Sequence, residues 1–209
     1  MTPMSQTRAS FRVILLGLAI CVTGMRPAGA TSVIPPTFPE LVAEAEAIVR
    51  GRVMDISFRR ASTPDGTPVI KTRITFAVER TLKGAERREI TLELLGGTIG
   101  DESLVVTGMP RFELGSTDYL FVERNGIQFC PLVAVRHGRY RLLRDAGGRE
   151  FVARDNAVPL TDVTQVVLPL AALPDVVRSA GASGALAPAA FEAAVIAEVS
   201  RAAPAARQR

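Results

Sequence analysis

Ile48-Val49-Arg50-Gly51-Arg52-Val53-Met54-Asp55-Ile56-Ser57-Phe58 leads through Ser62-Thr63-Pro64-Asp65-Gly66-Thr67-Pro68 into Val69-Ile70-Lys71-Thr72-Arg73-Ile74-Thr75-Phe76-Ala77-Val78-Glu79-Arg80. Side chains of a strand alternate between its two faces. Ile74, Phe76 and Val78 therefore share one face, and Thr75, Ala77 and Glu79 share the other. In the first run Met54, Ile56 and Phe58 keep step, while Gly51 breaks the rhythm and marks a bulge. The Pro-Asp-Gly core between the runs has the chemistry of a tight turn. Together they predict two long antiparallel strands joined as a hairpin.

The same period recurs downstream. Lys83-Gly84 ends the second strand, and Arg88 to Leu95 forms a third, with Ile90, Leu92 and Leu94 opposite Thr91 and Glu93. Gly96-Gly97-Thr98-Ile99-Gly100-Asp101-Glu102 opens a long segment that reaches Gly115 and holds a short strand at Leu104-Val105-Val106. Asp118 to Arg124 reads as a fourth main strand, Asn125-Gly126 as a two-residue hairpin turn, and Ile127 to Val135 as a fifth. A tight turn at His137-Gly138 leads to a sixth, Arg139 to Arg144, and Ala146-Gly147-Gly148 turns the chain into Glu150 to Ala153. Upstream, Thr37 caps a short helix over about Pro39 to Ala47, with Pro39 in its first turn and Glu40 as capping-box partner. Near the end, Pro188 to Arg201 has apolar residues at helical spacing (Phe191, Val195, Ile196, Val199). The expected fold is mainly β: a small antiparallel OB-like barrel with one N-terminal helix and a C-terminal helical tail. No strand–helix–strand rhythm points to a parallel sheet.

The first thirty residues read as an export signal. Arg8 and Arg12 precede the apolar run Val13 to Val22, and Ala28-Gly29-Ala30 offers small residues for cleavage before Thr31. Lipidation of Cys21 is the alternative processing. The organisation expected is 1–30 as signal, 31–155 as the β domain and 156–209 as an extension with linker and helix. The mature chain belongs in the periplasm or outside the cell, and no mature segment is expected to span a membrane. The formal charge of +4 belongs to the full chain. Cleavage removes Arg8, Arg12 and Arg26 and no acidic residue, which leaves a nearly neutral body without the basic footprint of a nucleic-acid binder. Cys130 is then the one remaining cysteine. No internal disulfide is available, and this thiol is expected to pack as a small hydrophobe.

Several of these stretches carry a resemblance. They are Ala47 to Val53, Phe76-Ala77-Val78-Glu79-Arg80-Thr81-Leu82-Lys83-Gly84, Ile90 to Asp101, Gly108 to Gly115, Asp118-Tyr119-Leu120-Phe121-Val122 and Gly138-Arg139-Tyr140-Arg141. In that order they resemble a class of bacterial exported proteins with no assigned activity, over about half the chain. A looser similarity runs to the netrin-like, OB-fold barrels of the tissue inhibitors of metalloproteinases. It implies a barrel and, as a partner class, a secreted protease. That family's disulfides have no counterpart here.

Chemistry is sparse. One histidine and one mature cysteine cannot build a Cys/His zinc site within the chain. Gly100-Asp101-Glu102 lacks the acidic alternation of a calcium loop. Gly96-Gly97-Thr98-Ile99-Gly100 follows a strand without leading into a helix, so its glycines serve backbone geometry rather than a phosphate. His137 reads as a solvated turn residue. Asp55, Glu79, Glu93, Asp101, Glu102, Glu113 and Asp118 read as solvated charges. The leading expectation is a non-catalytic exported binding or accessory module without metal or cofactor, whose partner is another exported protein. Its contacts are expected from the Gly96–Gly115 segment, through Thr98, Asp101, Glu102 and Arg111. The alternative is an extracytoplasmic hydrolase using His137 or a carboxylate pair.

Overall fold

The computed structural model describes residues 34–170 and 184–205. The expected signal peptide, Cys21 and most of the expected linker lie outside them. The chain is mainly β. A short helix, α1 (Phe38–Glu44), precedes two long strands, β1 (Ala47–Ser62) and β2 (Pro68–Lys83), and then β3 (Glu89–Leu95). A small hairpin follows, β4 (Gly97–Ile99) and β5 (Glu102–Leu104). The main sheet resumes with β6 (Thr117–Val122), β7 (Arg139–Arg144) and β8 (Glu150–Arg154), and α2 (Pro188–Ala205) ends the described chain. Short 3-10 turns cover Val135–Gly138 and Val163–Val167.

Local chemistry accounts for these elements. Glu40 closes the capping box on Thr37: Thr37 N–H donates to Glu40 Oε2 (2.8 Å), and Glu40 N–H donates to Thr37 Oγ1 (3.4 Å). The β1–β2 hairpin turns where Thr63 and Thr67 pair through their backbones, with Gly66 at φ +87°. The register between β1 and β2 shifts at Arg50/Gly51, where the sequence predicts an irregularity, and again at Ile48/Val49 and Val53/Asp55.

The main sheet has six antiparallel strands in the order β3-β2-β1-β6-β7-β8. No ladder joins β3 to β8. The strands therefore do not close the expected barrel by strand pairing, and apolar residues pack on both sides of the sheet. On one side Ile48, Tyr119, Phe121, Tyr140 and Val152 meet Phe38, Leu41 and Val42 of α1 and Phe191 and Val195 of α2. On the other, the sheet curls so that Ile90, Leu92 and Leu94 of β3 share a core with Leu120, Val122, Cys130 and Leu132.

Three strand-level expectations fail. The strand expected at Leu104-Val105-Val106 is displaced to Glu102–Leu104, leaving Val105 and Val106 outside it. Asn125-Gly126 does not close a hairpin, and 127–135 forms no strand, only an isolated bridge from Leu132 to Val122. Pro131 lacks the N–H a ladder needs, and Arg124, Ala134 and Val135 take φ of +43°, +46° and +58°, which bends the chain out of extension. His137-Gly138 is not an exposed hairpin tip either: it ends the 3-10 turn, and both residues are buried.

Candidate functional site

A groove of about 360 Å³ lies where the 96–112 segment crosses the curled sheet. Ile56 and Phe58 of β1, Thr72 and Ile74 of β2 and Leu94 of β3 form one side. Thr98, Ser103, Val105, Met109, Arg111 and Phe112 form the other. Gly96-Gly97 makes the crossing possible. Gly96 N–H donates to the Ile70 carbonyl (2.8 Å), and Thr72 Oγ1 donates to the Gly96 carbonyl (2.7 Å). Gly97 has φ +142°, and a Cβ on it would stand 2.6 Å from Phe58 Cδ1 and 3.0 Å from Thr72 Oγ1. Only glycine approaches the sheet this closely. Phe58 and Val105 remain 46% and 77% exposed, so the walls present apolar surface to solvent.

The four residues singled out in the sequence are split. Thr98 and Arg111 line this groove. The Thr98 hydroxyl lies 3.1 Å from that of Ser103 across the β4–β5 hairpin. Glu102 faces the neighbouring cleft between β5 and the start of β2, where it pairs with Arg60 at 3.1 Å. Asp101 is exposed in the β4–β5 turn and lines neither cleft. No cluster of metal-ligating side chains occurs among the described residues.

Behind the Phe112 wall sits a charged cluster that the sequence reading misses. Arg139 donates from Nε to Asp118 Oδ1 (2.9 Å) and from Nη1 to Asp155 Oδ1 (3.1 Å). Its guanidinium lies 4.1 Å from the Phe112 ring centroid, and Nη1 also donates to the Arg111 carbonyl (2.5 Å). Arg136 Nε donates to the second oxygen of Asp155 (2.5 Å). Asp118 is 0% and Arg139 2% exposed, which corrects the reading of Asp118 as a solvated charge. Burial pushes the Asp118 carboxyl above its usual range, and Arg139 opposes that shift. The cluster anchors the groove: one arginine ties β6, β7 and the start of the Asp155 turn to the backbone of Arg111.

His137 is also corrected. It is 9% exposed rather than solvated. Burial lowers its pKa first of all, a hydrogen bond to the Val166 backbone opposes this, and Arg154 and Arg136 lower it further. It does not line the groove. Asp118 and Asp155 are the two carboxylates brought together, and Arg139 stands between them. Cys130 is buried, with its thiol pushed up to about 12 by desolvation, so it behaves as a core residue.

A second missed polar residue, Glu192 of α2, is 3% exposed. It pairs with Arg50 and Arg80 (2.7 Å each) and accepts from the Tyr119 hydroxyl (2.8 Å). Its neighbour Phe191 lies 5.0 Å from the Tyr119 ring and 5.3 Å from Tyr140. The helix is thus pinned by an aromatic and a carboxylate side by side. No described helix is long and apolar enough to cross a membrane. No family model and no curated protein matches the chain.

Proposed function

We propose that the chain is a non-catalytic exported binding module whose working surface is the groove under the 96–112 segment. The observation that carries this reading is a preformed, solvent-open apolar groove, held in shape by Gly96, Gly97 and the Arg139 anchor. Concave, mostly apolar sites with a few fixed polar groups are where proteins hold ligands. The buried carboxylates Asp118, Asp155 and Glu192 are all paired with arginines, so their geometry serves structure rather than turnover. The Arg8 to Ala30 pattern supports export, and N-terminal sequencing of the processed protein is expected to begin at Thr31.

A partly closed OB-like barrel is the finer fold we propose. The free edge of β3 is not bare: Leu95 N–H donates to the Phe129 carbonyl (2.7 Å), and Asn125 Nδ2 donates to the Thr91 carbonyl (2.8 Å). The loop after β6 thus closes over β3 in place of a strand. This closure is consistent with the netrin-like resemblance, which makes a secreted protease the first protein partner to try.

The test is purification of the exported chain beside its Phe58→Asp variant, with mass spectrometry of everything retained. Phe58 is half exposed, so the variant should fold, yet it places a charge on the apolar wall. Material retained by the wild type and lost from the variant is the expected result. Identical sets on both proteins would overturn the reading.

A further inference from the structure

We infer that the groove takes a small amphiphile with an aliphatic body and a single carboxylate, the carboxylate seated on Arg111. This rests on the binding-module reading above and names its ligand class. Three features of the groove point there. Its walls are apolar at Ile56, Phe58, Ile74, Leu94, Val105 and Met109, which suits a hydrocarbon body. Arg111 is the one charged residue of the lining, and no acidic side chain lines it. The Arg111 side chain is exposed and meets no carboxylate among the described residues.

Arg111 shares that last feature with Arg52, which lies against Gly115 outside the groove lining, whereas several other arginines of the sheet are paired. Arg60 pairs with Glu102, Arg59 with Glu93, Arg141 with Glu113, and Arg139 with Asp118 and Asp155. An arginine left without an anion at the mouth of an apolar groove supplies charge complementarity to a carboxylate, in the planar, two-donor geometry a carboxylate matches. The backbone beneath it is already held by Arg139, so the ordering that binding requires is confined to the Arg111 side chain. Size decides between a small ligand and a protein segment. About 360 Å³ falls at the small-ligand end of binding sites. A stable protein docking surface instead spans about 800 Å² on each partner.

The test is calorimetric titration of the full processed chain with octanoate, 1-octanol and an apolar hexapeptide amide, repeated on Arg111→Gln and on Arg60→Gln. Arg111→Gln changes an exposed side chain, and an unchanged urea midpoint verifies its fold. Octanoate should bind the wild type about two- to fivefold more tightly than the alcohol, the worth of one solvent-exposed ion pair. Arg111→Gln should erase that difference, while Arg60→Gln should leave it. Equal binding of acid and alcohol, or a preference that survives Arg111→Gln, overturns the carboxylate inference while leaving a binding groove in place. Preferential binding of the peptide, or no binding of either amphiphile, overturns the ligand class. The binding-module reading is decided separately by the Phe58→Asp comparison.

Discussion

Asp118 and Arg139 stand at or beside the starts of β6 and β7, and Asp155 in the turn after β8, places where charges usually meet water, yet all three are buried. The reason is that both faces of this sheet are covered, one by helices and one by the curl of the sheet itself. Alternation separates two faces without saying which meets water, so the buried charges were not legible, whereas the apolar partners Tyr119, Phe121 and Tyr140 were. Glu192 was invisible for a related reason: its three partners lie far away in sequence, on β1, β2 and β6. Replacing it by alanine strands the Tyr119 hydroxyl and leaves Arg50 and Arg80 to rehydrate at the surface. We expect a loss of about 2–3 kcal/mol, read as a lower urea midpoint at unchanged slope. His137 yields a pH prediction. The fold lowers its pKa below 6.5, chiefly by burial, with Arg154 and Arg136 adding repulsion that Asp155 partly offsets. A depressed histidine favours the folded state in its neutral form. Its contribution is full above 6.5 and is lost as pH falls towards the lower folded value. Asp118, raised, acts with the opposite sign: its penalty grows as pH rises through its folded value. The carboxyl of Glu93, lowered by Arg59, loses stability only below the ordinary range of glutamate. Thermal melts from about pH 8 to pH 5.5 should therefore show a falling Tm that His137→Asn flattens. Parallel curves for the two proteins would refute the assignment.

At the scale of elements, hairpins with strong turn chemistry were readable and irregular connections were not. The capping box at Thr37 and Glu40 and the turn at Thr63 to Thr67 form as their residues dictate. The 127–135 stretch has strand composition but lacks a strand's backbone, because Pro131 and the positive φ values of Ala134 and Val135 belong to a loop. That loop nonetheless covers part of the β3 edge, through Phe129 and Asn125, which composition alone cannot reveal. In the candidate site the segment was legible and its partition was not. Thr98 and Arg111 meet in one groove, while Glu102 faces another, because the β4–β5 hairpin presents neighbouring residues to opposite sides. Gly97 is the position on which that hairpin's placement depends. Gly97→Ala would drive a methyl into Phe58, Thr72 and Ile70. Its φ of +142° would be strained in any L residue as well. We expect a cost of about 1–3 kcal/mol and a hairpin displaced from the sheet. Amide shifts should change at Gly96, Thr72 and Phe58 while β7 and β8 stay unchanged. A variant with wild-type shifts across the groove would contradict this placement.

At the scale of the whole molecule, the two larger apolar cores among the described residues share one sheet, and the C-terminal helix closes the larger of them. A sequence reading treats residues after 155 as an appendage because composition shifts there and alanine and glycine abound. The structure assigns α2 a different part. Phe191 is fully buried against Phe38, Tyr119, Phe121 and Tyr140, and Glu192 ties three strands to the same helix turn. Without α2 those aromatic rings, and Leu41 and Val42 of α1, would face water. Deleting one such phenylalanine side chain costs about 3–5 kcal/mol, and whole domains hold only about 5–15 kcal/mol. Removal of Val195 and the Glu192 network adds to that loss, so the sum reaches the stability of an ordinary domain. We therefore expect a chain ending at Ala187 to lose its cooperative urea transition and to bind a hydrophobic dye. Adding a peptide of residues 188–205 at excess should restore the transition by mass action, because it binds only the folded state. Phe191→Ala within the full chain should fall between these extremes, keeping one transition at a lower midpoint. A truncated chain that melts as sharply as the full one would show that the sheet and α1 suffice alone, and that α2 is an accessory after all.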